Sequence, residues 1–223
     1  MSAKPQIEVL ETRAPAREPA AQPLGLHSVF SFPAAARGAL DRIVEQIDVD
    51  LANIANRVVL VTAPERGDGA STVARWLVSY LSSTHGGKLL YVDASLQSGP
   101  AFADQATPAD VGSARLIRQV RPTGVHDIHA LELRETDSGR GPALHDIAEA
   151  LAQLREEYAW IVVDAPPPSC FSPRSVFLAQ HADGVFIVLQ ANRSDRDQVR
   201  ETVDLIRRSG GRVIGALLNK TRA

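Results

Sequence analysis

The chain has 223 residues, 44% hydrophobic and 22% charged, and a formal net charge of −2. That length supports one α/β domain of ordinary size with a short extension, and the near-neutral balance excludes bulk electrostatic binding to nucleic acid. The longest apolar runs, VVLV and GVFIVL, fall well short of the roughly 18 residues that read as a membrane span. A single Cys170 excludes an internal disulfide framework and suits a reducing cytoplasm. The opening MSAKPQIEVLETRAPAREP lacks the apolar stretch of a secretory signal. A soluble cytoplasmic chain is expected.

In chain order, residues 1–30 carry Pro5, Pro15, Pro19 and Pro23 among alanines and alternating charges, too few large apolar groups for a core, and read as a flexible tail. The domain is expected over 31–223. Ser31 and Pro33 resemble a helix start, and Leu40, Ile43, Ile47 and Leu51 follow at spacings of three and four, which predicts an amphipathic helix within 32–54. Strand, loop and helix then alternate. RVVLVT is a strand, PERGDG a turn and STVARWLVSYL a helix. KLLYVD is the next strand, followed by a short helix around Ala109–Arg121 and a strand near Asp127–Leu133. PALHDIAEALAQLREEY (helix), WIVVD (strand), SVFLAQ (helix), GVFIVLQ (strand), RDQVRETVDLIRRSG (helix) and RVIGALLN (strand) complete the pattern. Continuous apolar strands alternating with amphipathic helices predict an α/β fold, a mostly parallel twisted sheet with helices on both faces. Ligands of such sheets bind at the carboxyl ends of the strands.

The first of those ends is VVLVTAPERGDGASTVARWL. Gly67 and Gly69 let the backbone curl so that successive N–H groups face an anion at a helix N-terminus, and Ser71 or Thr72 offers a hydroxyl to Mg²⁺. The phosphate-loop pattern requires Lys before that hydroxyl, and Ala70 stands there. Each lost charge-assisted hydrogen bond costs about 1.5–3 kcal/mol, and Asp68 adds a negative charge beside it. Asp93 and Asp164 each follow a buried strand, where a carboxylate serves Mg²⁺ or the attacking group. Each alone also suits a turn or a helix cap.

Taken together, PERGDGASTVA, YVDASLQ, WIVVDAPPPS and the segment from His181 to Lys220 resemble the cytoplasmic P-loop module of bacterial tyrosine kinases, the CpsD/CapB-like family within the MinD/ParA class, from about Phe32 to Thr221. That resemblance implies a P-loop NTPase-like fold. It implies nucleotide contacts from Gly67, Asp68, Gly69, Ala70, Ser71, Thr72 and Asn219, catalytic roles for Asp93 and Asp164, and Mg²⁺ held by Ser71, Asp93 and Asp164. It also implies a place in exopolysaccharide or capsule biosynthesis and export, peripheral to the inner membrane through a polysaccharide co-polymerase, with homo-oligomers in view.

The departures bear on activity. Ser95 and Gln97 replace the second Asp and the Arg of the second motif. Of the family's E-x-x-R-x-x-R oligomerisation pattern only Arg37 fits, flanked by Ala34 and Leu40. The tyrosines are Tyr80, Tyr91 and Tyr158, all in helix or strand neighbourhoods, and the sequence closes on NKTRA without a Tyr-rich tail. Arg66 and Lys220 are the candidate replacement cations, and Lys88 is expected at the opposite end of the sheet. His126, Asp127 and His129 lack further ligands for a metal site. Cys170 reads as a small filler, and Trp76 and Trp160 as core. The expectation is a degenerate P-loop regulatory protein in which ATP or ADP with Mg²⁺ is held weakly or not at all. The alternatives are an active ATP-dependent tyrosine kinase or ATPase, and a MinD/ParA-like positioning ATPase. Against the last, Glu65 occupies the place of that class's extra Lys.

Overall fold

The computed structural model describes residues 30–94, 112–125, 127–133, 141–168 and 173–219. A 3-10 turn (Ala34–Ala36) leads into α1 (Arg37–Asp50), β1 (Arg57–Thr62), α2 (Ala70–Thr84), β2 (Leu89–Asp93) and α3 (Ser113–Arg118). β3 (Arg121–Pro122), β4 (Ile128–Glu132), α4 (Leu144–Glu157), β5 (Trp160–Asp164), α5 (Pro173–His181), β6 (Gly184–Gln190), α6 (Arg196–Arg208) and β7 (Val213–Asn219) follow. The strands form one sheet in the order β3-β4-β2-β5-β1-β6-β7. Every pairing is parallel except β3 with β4. This is the doubly covered α/β architecture expected from the sequence.

Side chains alternate across each strand, so each face of the sheet builds its own core. Val59, Val61, Leu89, Tyr91, Trp160 and Val162 pack under α1 and α2. Val58, Leu60, Leu90, Val92, Ile161 and Val163 pack against residues of α3, α4, α5 and α6. Trp160 is buried and Trp76 packs at the core's margin, as their positions in strand and helix predicted.

Two local features differ from the sequence reading. β3 has only two residues and was not anticipated; Pro122 has no N–H to give, which suits an edge strand. The first helix begins at Arg37 rather than directly after Pro33, because Pro33 is extended and a 3-10 turn intervenes. Residues 1–29 lie outside the described residues. Phe30, assigned to the tail, is buried in the core, its ring edge-on to Tyr91 at 5.4 Å. Its carbonyl accepts the Ser79 hydroxyl at 2.7 Å.

At the amino-terminal edge of the sheet, the Asp183 carboxylate accepts from the Val58 N–H at 2.7 Å and from Arg155 Nη2 at 2.7 and 2.8 Å. Lys88, which precedes β2, sits at this same edge, away from the loops that follow the strands. Among the described residues, no helix is long and apolar enough to cross a membrane.

Candidate nucleotide-type cleft

β1 ends at Thr62 and α2 starts at Ala70, so residues 63–69 form the loop at the carboxyl end of a central strand. Gly67 and Gly69 have φ of 92° and 102°, a region open to glycine. Gly69 is the N-cap of α2, and no side chain caps the helix. The first-turn N–H groups of α2 are therefore left for an anion or water.

The loop is held from behind. Asp68 is fully buried, and its Oδ2 accepts from the Glu65 N–H at 3.3 Å and from the Ser194 hydroxyl at 3.1 Å. Asn219 at the end of β7 donates from Nδ2 to the Asp68 carbonyl at 3.0 Å. Arg193 donates from Nη2 to the Arg66 carbonyl at 3.2 Å, with its Nε 3.8 Å from the Glu65 carboxylate. A Cβ on Gly69 would collide with the Asn219 amide, and one on Gly67 would meet the Arg193 guanidinium at 3.1 Å. The Asp68 carboxylate and the Asn219 amide, both named from the sequence among the nucleotide contacts, thus take part in shaping the loop. The negative charge anticipated beside the phosphate position is turned into the protein.

The carboxylates come from neighbouring strands in register, Asp93 of β2 opposite Asp164 of β5. The two-residue alternation that sends Leu89, Tyr91 and Trp160 toward α2 sends Asp93 and Asp164 to the same face. Asp164 is 1% exposed; its Oδ2 accepts from the Tyr91 hydroxyl at 2.9 Å, and its Oδ1 has no hydrogen-bond partner. Burial pushes the Asp164 carboxyl up to about 6, and the Asp93 charge adds to the rise. The Ser71 and Tyr91 hydroxyls and the Arg75 charge act in the opposite sense. Tyr91 is raised well above the usual phenol range, first by burial and then by Asp164 and Asp93.

A cleft of about 360 Å³ opens over these groups, lined by Arg66, Gly67, Gly69, Ala70, Ser71, Thr72, Arg75 and Asp93, with Pro166 and Pro167 on the far wall. The donor set of Ser71, Asp93 and Asp164 consists of hard oxygens, and the orphaned Asp164 Oδ1 is the kind of buried acceptor that a divalent cation satisfies. These residues fit Mg²⁺. The glycine loop and the open first turn of α2 fit a phosphate in shape, while the Ala70 methyl leaves the cradle without its usual ammonium.

Of the loop residues named from the sequence, Gly67, Gly69, Ala70, Ser71 and Thr72 line the cleft. Arg66 does too, whereas Lys220, Ser95, Gln97, His126 and Cys170 lie outside the described residues. His129 Nδ1 is paired with the Tyr158 hydroxyl, and burial lowers its pKa. Sequence reasoning missed Arg75, Tyr91, Arg193 and Ser194. Arg75 follows Ser71 by four residues, a spacing that puts both on one helical face and was available from the sequence. Nothing local marked Ser194, whose partner Asp68 is 126 residues away.

No protein-family model matches the sequence. A putative tyrosine-protein kinase CapB from Staphylococcus aureus is 24% identical over 172 residues, covering 73% of this chain and 74% of the relative. A tyrosine-protein kinase CpsD from Streptococcus agalactiae is 25% identical over 175 residues, covering 74% and 75%. In fold, the kinase domain of the Escherichia coli tyrosine kinase ETK superposes with a TM-score of 0.67 at 16% identity, covering 96% of this chain and 86% of that one. A ParA family ATPase from Chlorobium tepidum superposes with a TM-score of 0.57 at 17% identity, covering 76% and 74%. The chain is therefore similar in sequence to the CapB/CpsD type of P-loop protein over about three-quarters of its length, and it has the P-loop NTPase-like fold of bacterial tyrosine-kinase domains.

Proposed function

We propose that this chain is a degenerate P-loop regulatory protein of bacterial exopolysaccharide or capsule biosynthesis and export. It acts by docking on an inner-membrane polysaccharide co-polymerase rather than by transferring a phosphoryl group. The observation that carries this reading is a cradle with its shape intact and its lysine absent. Gly67 and Gly69 hold the left-handed conformations of a phosphate loop, yet Ala70 fills the lysine position. Phosphoryl transfer depends almost wholly on positioning and on neutralising charge at the phosphates, so loss of that ammonium removes a major part of the chemistry. A parallel sheet keeps its core without a working site. The pathway rests on the likeness to CapB and CpsD, and the fold likeness to the chimerical protein CapA2B2 (TM-score 0.65, 21% identity) accords with a module that works joined to a second component.

When bound, a nucleotide with Mg²⁺ would bring a transferable phosphoryl group to the mouth of the cleft. The first-turn N–H groups of α2 would face its phosphates. The Ser71 hydroxyl and the Asp93 and Asp164 carboxylates would hold the metal, and Asp164 would have to shed its proton to do so. The purified chain is expected to show no ATP hydrolysis and no tyrosine phosphorylation above the level of Asp164→Ala. Turnover abolished by Asp164→Ala would overturn the reading and make the chain an active tyrosine kinase or ATPase. That second reading draws on the relatives' names and on the two arginines that line the cleft.

A further inference from the structure

We infer that Arg75 is the phosphate-binding cation of this cleft, taking over the charge that a lysine at position 70 would provide, with a nucleoside diphosphate or triphosphate as the ligand class. The inference rests on the reading of the cleft as a phosphate site. Arg75 lies on α2 one turn beyond Ser71 and lines the same cleft wall as Ser71, Thr72 and Asp93. Helical side chains lean toward the helix N-terminus, so a long side chain at position 75 projects toward the loop and the helix's first turn. The two carboxylates of β2 and β5 face α2 from below, and the Arg75 charge acts on both Asp164 and Tyr91, lowering each.

Two negative groups at the strand ends would repel a phosphate in a cradle without an ammonium. A guanidinium lining the same cleft offsets that repulsion, and its planar fork presents paired donors to phosphate oxygens. Among the described residues, Arg66 is the other cation lining the cleft, but it is exposed and its backbone carbonyl is held by Arg193. A fixed backbone does not position an exposed side chain, which leaves Arg66 to water. The site's charge has therefore moved one turn and a little more along the same helix.

The test is calorimetric titration of ADP, with and without Mg²⁺, into the full chain and into Arg75→Gln, Arg75→Lys, Arg66→Gln, Ala70→Lys and the double variant Ala70→Lys with Arg75→Gln. Circular dichroism melts check the fold of each. The native chain should bind ADP, Arg75→Gln should weaken binding by about tenfold or more, and Arg66→Gln by less than about threefold. Arg75→Lys should retain part of the affinity. The double variant should regain binding, which a purely structural role for Arg75 would not produce. Equal binding by the native chain and Arg75→Gln overturns the inference. So does absence of binding by the native chain, whether or not Ala70→Lys binds; if Ala70→Lys does bind, the regulatory reading stands while the role of Arg75 falls. ATP turnover by the native chain overturns the regulatory reading and leaves the role of Arg75 in place.

Discussion

The Tyr91 hydroxyl on β2 donates to Asp164 Oδ2 on β5 across 2.9 Å, tying the core to the carboxylate beneath the cleft. Tyr91 is itself packed edge-on by Phe30, so the segment entering the domain touches the residue that holds Asp164. Removing the hydroxyl by Tyr91→Phe deletes a donor that favours the ionised carboxyl. The Asp164 pKa is expected to rise above its value of about 6. A carboxyl ¹³C titration reads this directly, and an unmoved midpoint would show that the hydroxyl does not govern the proton.

The raised pKa of Asp164 also makes folding stability depend on pH. Its folded value is about 6 against an ordinary 3.8, so in that window the folded state holds a proton that the unfolded state has released. Stability therefore falls as pH rises through the window and levels off above it. Asp164→Asn, which keeps an acceptor for Tyr91 and carries no charge, is expected to be more stable than the native chain at pH 8 by roughly 1–3 kcal/mol. That advantage should shrink toward zero below the ordinary carboxyl range. Urea unfolding at both ends of the range tests it, and a pH-independent difference would contradict it.

Gly69→Ala and Gly67→Ala should differ in severity. Both positions have positive φ, but the new methyl at 69 meets the Asn219 amide that supports the loop, while at 67 it meets the end of an exposed arginine. Gly69→Ala is expected to cost about 2–3 kcal/mol and Gly67→Ala about 1 kcal/mol. Denaturant midpoints of the two variants give the order; equal losses would mean that Asn219 yields freely.

Asp183→Ala should destabilise the chain without touching the cleft. It removes the acceptor for the Val58 N–H and for Arg155, at the edge of the sheet opposite the loops. A loss of about 2–3 kcal/mol is expected, since hydrogen bonds to charged groups contribute more than neutral ones. ADP binding by the folded fraction should remain that of the native chain.

The architecture was legible because every strand but β3 is a short, largely apolar run and the helices carry apolar stripes. The cleft residues Gly67, Gly69, Ala70, Ser71 and Thr72, with Asp93, were legible because a phosphate loop is local in sequence. β3 escaped because two residues ending in Pro leave no periodicity to read. Asp68 was read as a charge facing a ligand, since nothing in PERGDG shows which way a side chain turns; its direction is set by Ser194 across a gap of 126 residues. Tyr91 was read as part of a buried strand, and it is one. Its hydroxyl reaches Asp164 only because β2 and β5 are neighbours, a fact of sheet order rather than of sequence.

The hydrogen bonds from Ser194, Arg193 and Asn219 to the loop have a consequence for substitution. They arise from the neighbouring strand ends β6 and β7 and involve no ligand, so the curl of residues 65–69 does not depend on what the cleft holds. A change of side chain at position 70 therefore leaves the form of the loop in place. Loss of Asn219 or Ser194 would instead erase the form itself.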